Sequence, residues 1–192
     1  LDAHLIYKII YSNFGLKIEI NYFIYYFDTK MLRNKISADI QDLNELHKKY
    51  WWIPDENMIR PTPEMLEEKK AFSNYVLHNW MNFRDFILDT HFKYRVDIED
   101  GHKFISGTVK KSEWNFQQSL FPYSLPNGVR HYILWNSFYD YYKDFSDSVI
   151  NNLIKETLDQ MVGIDSYDFA WYKNPKPSIP ELFHVQVFWI QL

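Results

Sequence analysis

An α+β fold, with a mixed or antiparallel sheet covered by several helices, is predicted by three features of the 192-residue chain. A long helical stripe starts at Thr62–Pro63–Glu64, a second amphipathic stripe covers 144–161, and two histidine-bearing strands follow Pro-rich turns near 129–135 and 184–190. Two layers, a sheet with long helices packed on it, would bury the apolar faces these patterns create.

The elements follow in order. Leu5, Ile6, Ile9 and Ile10 share helical spacing, with a stop near Asn13 to Gly15. From Leu16 the pattern GLKIEINYF alternates as a strand does, extending to about residue 27. Residues 37–50 form a helix capped by Ser37, with Ile40, Leu43 and Leu46 on one stripe, and Trp51, Trp52 and Pro54 end it. Thr62 then caps a helix whose first turn holds Pro63 and Glu64. Leu66, Phe72, Val76, Trp80, Phe83 and Ile87 continue its apolar face, with a bend or break expected near Asn79 or Asn82. HFKYRVDI and KFISGTVK read as short strands around an Asp100–Gly101 turn. The last helix carries Phe145, Val149, Leu153, Ile154, Leu158 and Met161 and stops at Gly163. Strand order does not follow from the pattern.

Composition narrows the function. One compact domain of 23.5 kDa is expected, and its first residue, Leu1, reads as a trimmed start. A net charge of -4 and a pI near 6.0 give no general attraction to phosphate backbones, and Lys48–Lys49, Lys69–Lys70 and Lys110–Lys111 read as solvated pairs. The absence of cysteine excludes disulfides, thiolate nucleophiles and Cys-ligated metal centres. No apolar stretch is long enough to span a membrane and no signal peptide is visible, so a cytoplasmic or nuclear protein is expected. With five glycines there is no phosphate loop, dinucleotide fingerprint or nucleophile elbow, and no cofactor is assigned.

RPTPEMLEEKKAF with its helix, FPYSLPNGVRHYILW, and WYKNPKPSIPELFHVQVF together resemble an uncharacterised family found mainly in fungi and sporadically in large DNA viruses. The resemblance covers roughly residues 60–190. It implies a Pro-rich turn feeding a His–hydrophobic–Trp strand and an Asn–Pro segment feeding a final histidine strand, without implying an activity. Members of that family carry a second histidine two positions before the last one, where this chain has Leu182. That departure weakens a metal site built on the last strand.

The candidate site rests on the two histidine strands. Pro122, Pro126 and Asn127–Gly128 shape a turn, after which period two places His131, Ile133 and Trp135 on one face and Tyr132 and Leu134 on the other. Arg130 shares the Tyr132 face unless a bulge intervenes. His184, Gln186 and Phe188 share a face of the last strand, and a His–Gln pair there needs a partner or a ligand. If the strands are neighbours, His131 and His184 could act as general base and acid in a metal-independent hydrolytic or phosphodiester-cleaving reaction, with Arg130 stabilising an anion. Tyr123, Trp135, Tyr172, Asn174 and Gln186 are the expected substrate-binding residues. The structural alternative is a pair of hydrogen-bonded core histidines.

Two further readings compete. His131 and His184 with Glu181, Asp165 or Asp168 could ligate a metal, although no HExxH or HxD spacing is present. WWIPDENMIRPTP and WYKNPKPSIP could instead engage a protein partner, which exposure of Trp52 and Trp171 would support. A phosphate-containing small molecule, a nucleic acid and a protein are the partners considered, with no membrane. Ser119, beside this turn, lacks a nucleophile pattern, and His47, His78, His91 and His102 have no matched ligand spacing.

Overall fold

A computed structural model describes residues 47–48, 52–53, 62–164, 166–174 and 176–192. These residues form an α+β fold with antiparallel sheets. The early helix, the strand expected at 16–27 and all of the 37–50 helix except helical His47 and Lys48 lie outside the described residues.

Helix α1 (Pro63–Asn79) starts at the predicted cap, where Thr62 Oγ1 accepts from the Met65 N–H at 3.3 Å. Pro63 takes a position whose N–H would have had no intrahelical acceptor. The expected break falls at 80–82. Trp80 is extended, and Asn82 Oδ1 accepts from the Asp85 N–H at 2.8 Å to begin α2 (Phe83–Phe92). Strands β1 (Val96–Glu99) and β2 (His102–Ile105) form a hairpin. Its turn residues, Asp100 at φ 50° and Gly101 at φ 82°, are both left-handed, as the right-handed strand twist requires of a two-residue turn.

The second sheet contains β3 (Trp114–Gln118), β4 (Val129–Asn136), β5 (Tyr167–Tyr172) and β6 (His184–Gln191) in the order β3-β4-β6-β5. Strands β3 and β5 were not among the sequence expectations. Helix α3 (Asp147–Val162) ends at Gly163, whose φ of 99° favours a residue without Cβ.

The two-layer expectation is corrected to three, because both faces of this sheet are covered. On one face Ile150, Ile154 and Leu158 of α3 pack on Leu134, Val185, Val187 and Trp189. Each fully buried aliphatic side chain there contributes roughly 1.5–3 kcal/mol. On the other face α1 and α2 bring Val76, Phe86 and Ile87 to Trp135 and Leu182, while Trp52 and Ile53 pack beside Tyr172 and Phe188. Register decides what this second face presents: His131 pairs with Phe188, Ile133 with Gln186 and Trp135 with His184. Among the described residues, no helix is long and apolar enough to cross a membrane.

Candidate functional site

A cavity of about 420 Å³ separates the α1–α2 layer from the β4–β6 face. Phe72, Phe86, Ile87, Phe121 and Ile133 supply apolar walls, while His91, His131, His184 and Gln186 supply polar atoms. Exposed Lys69, Gln118 and Ser178 line it where it meets solvent.

The polarity of the two strand histidines follows from their partners. The Tyr123 backbone N–H donates to His131 Nδ1 at 3.2 Å, so the neutral ring carries its proton on Nε2. That N–H donates to Gln186 Oε1 at 2.6 Å. The Gln186 carbonyl oxygen is thereby consumed, and its NH2 group, which has no partner among the described residues, remains as a donor on a cavity-lining side chain. His184 has the opposite tautomer. Its Nδ1–H donates to the Leu182 carbonyl at 2.9 Å, leaving Nε2, which has no hydrogen-bond partner among the described residues, as an acceptor in a cavity-lining ring. One strand therefore offers an acceptor at 184 and a donor at 186.

Burial also fixes the charge. His131 and His184 are 3% and 4% exposed. Desolvation lowers both to a pKa of about 4, outweighing the hydrogen bonds that the rings donate to Gln186 and to Leu182, which favour the cation. His91, at the end of α2, is lowered to about 4 by burial and then by Lys93. All three are neutral at pH 7. Burial, then Tyr172, pushes the Tyr123 phenol up to about 12, so it too is uncharged.

The structure separates the residues expected to act together. His131 and His184 lie on one face of neighbouring strands and line one cavity, but the register offsets them by four residues, roughly 13 Å along the strand. Both His131 nitrogens are occupied. Arg130 points away: its guanidinium lies 4.9 Å from the Trp189 ring centroid on the opposite face, as strand alternation dictates. Tyr123 stands tilted against His131 with ring centroids 4.6 Å apart, and Trp135 stands against His184 at 4.6 Å and His91 at 6.1 Å. Asn174 lines the cavity, and its backbone carbonyl accepts from the Tyr141 hydroxyl. Tyr172 is buried beside Phe188, and its hydroxyl donates to Asn174 Oδ1 at 3.3 Å, behind the cavity wall.

The remaining expectations also have places. Trp52 and Trp171 are 0% and 3% exposed, so neither offers an exposed anchor. Among the described residues no group of three or more His, Asp or Glu side chains comes together for a metal, and Asp165 lies outside them. Ser119 is buried, lines the cavity, and donates its backbone N–H to the His131 carbonyl. His91 is the cavity residue the sequence reading passed over. It continues the i, i+4 row of Phe83 and Ile87 by one further turn, which is the signal that could have found it.

The family described as "Protein of unknown function (DUF3605)" matches residues 55–189. The chain belongs to the DUF3605 family. The match spans α1 through most of β6, so every wall of the cavity lies within the DUF3605 region. No curated protein gives a significant match. A solved structure named "Crystal Structure of HTC1" is similar to the DUF3605 chain at 12% identity and a TM-score of 0.41, covering 78% of this chain and 82% of that one.

Proposed function

We propose that the cavity binds a small, uncharged, mostly apolar molecule whose carbonyl accepts from the Gln186 amide and whose N–H or O–H donates to His184 Nε2. The observation that carries this reading is the fixed polarity of β6, a remaining donor and a remaining acceptor on two cavity-lining side chains of one face. The volume falls within the ~300–1,000 Å³ typical of small-molecule sites, and a few placed polar groups in apolar walls are what such sites use for orientation. A phosphate or nucleic-acid ligand has less support. Lys69 is the only cation among the described lining residues, it sits in solvent, and Arg130 is on the other face. A phosphate deep in the cavity would meet no cation among the buried lining residues described, with Lys173 acting on His184 only from outside the lining.

The test is ligand-observed NMR with acetanilide, benzoate and phenyl phosphate, using the wild-type chain and Ile179→Trp, which fills the cavity from a loop. Acetanilide binding to the wild type, loss in Ile179→Trp and weaker binding of both anions are expected. Preference for phenyl phosphate, or acetanilide binding unchanged in Ile179→Trp, would overturn the reading.

A further inference from the structure

The polar pair of this cavity has the two functions that water-dependent ester cleavage requires, a lone pair to receive a proton and a donor for a developing oxyanion. Resting on the binding reading above, we propose that the cavity hydrolyses small neutral carboxylic esters, with His184 as general base and Gln186 as oxyanion donor.

Residues 184 and 186 stand on one face of β6 two positions apart, a Cα spacing of roughly 6.7 Å. A water donating to His184 Nε2 and an ester carbonyl oxygen accepting from the Gln186 NH2, each at about 3 Å, fit across such a span with the water against the carbonyl carbon. The water oxygen forms a bond to that carbon as one of its protons passes to Nε2. The carbonyl π pair moves onto oxygen, and the Gln186 N–H donates to the resulting oxyanion. Collapse re-forms the carbonyl and breaks the ester C–O bond, and the leaving oxygen takes the proton from Nε2. A carboxylic acid and an alcohol result, and the imidazole is again neutral.

The surroundings match these roles. Leu182 fixes the His184 tautomer as an orienting carbonyl does in other proton-transferring histidines. His131 is a positioning residue: its Nε2–H holds the Gln186 carbonyl oxygen and so leaves the NH2 group as the free end of that amide. The acid product ionises once it meets water, and a carboxylate finds no buried cation among the described lining residues, so product leaves readily. An ester suits the site better than an amide. One base and one oxyanion donor supply roughly 10²–10⁴-fold and 10²–10³-fold respectively, a small share of an amide's barrier.

Phenyl acetate and acetanilide, its amide isostere, separate turnover from binding. Phenol release is measured for wild type, His184→Ala, Ile179→Trp and His78→Ala, the last an exposed helix-face imidazole. About a hundredfold loss is expected in His184→Ala and in Ile179→Trp, with His78→Ala unchanged. Ile179→Trp reads the same claim should His184→Ala fail to fold. Acetanilide binding without wild-type phenol release above buffer, or full release by folded His184→Ala, overturns hydrolysis and leaves the binding reading standing. Failure of both compounds to engage the cavity overturns both.

Discussion

Lowering the pH from 7 to 5 should remove about 4 kcal/mol of folding stability through His131 and His184 alone. Burial holds both folded-state values at about 4, whereas an unfolded histidine titrates near its ordinary 6.5. Between those values the unfolded chain binds more protons than the folded one. The stabilising contribution is therefore complete above pH 6.5 and is lost as the pH falls toward 4. Integrating the difference in bound protons from pH 7 to pH 5 gives about 2 kcal/mol for each ring. Both rings are almost fully buried, so solvent screening offers little discount. His91 acts in the same direction, with its contribution reduced by solvent screening because it is partly exposed. Against a typical total of about 5–15 kcal/mol, a loss of this size is large. Urea melts followed by tryptophan fluorescence at pH 7 and pH 5 measure it directly. Stability equal within about 1 kcal/mol at the two pH values would refute the assignment of buried, neutral histidines.

Two substitutions probe the layers around the cavity. Gln186→Leu leaves the His131 Nε2–H buried without an acceptor, so a destabilisation of about 1–3 kcal/mol is expected in urea melts, with loss of acetanilide binding by NMR. Leu158→Ala, on the far face of the sheet where Leu158 is 0% exposed, should cost about 2–5 kcal/mol in the same melts while leaving acetanilide affinity unchanged in the folded protein.

Some of this was legible in the chain and some was not, for physical reasons. The break between α1 and α2 was readable because Asn82 is both a poor interior residue and a good cap. Strands β4 and β6 were readable from rigid turns and alternation, and that alternation already placed Arg130 opposite His131. Strand β5 gave no such signal. With Tyr167–Tyr172 buried throughout, both of its faces are covered and the period-two contrast vanishes. Strand β3 has five residues, too few for a convincing pattern. The role of His131 was hidden for another reason. Its Nδ1 is taken by a backbone N–H eight residues earlier, a contact set by loop conformation rather than by residue type. Trp52 and Trp171 carried an apolar signal that fits a core as well as a docking loop, and their burial decides for the core.

The opposite tautomers of the two strand histidines give the cavity its donor and its acceptor, and long-range ¹H–¹⁵N correlation of the imidazole rings at pH 7 tests them most directly. His131 should carry its proton on Nε2 and His184 on Nδ1, with the His184 Nε2 resonance alone moving when acetanilide is added. A His184 ring protonated on Nε2, or on both nitrogens, would leave the cavity without its acceptor and contradict the proposed site.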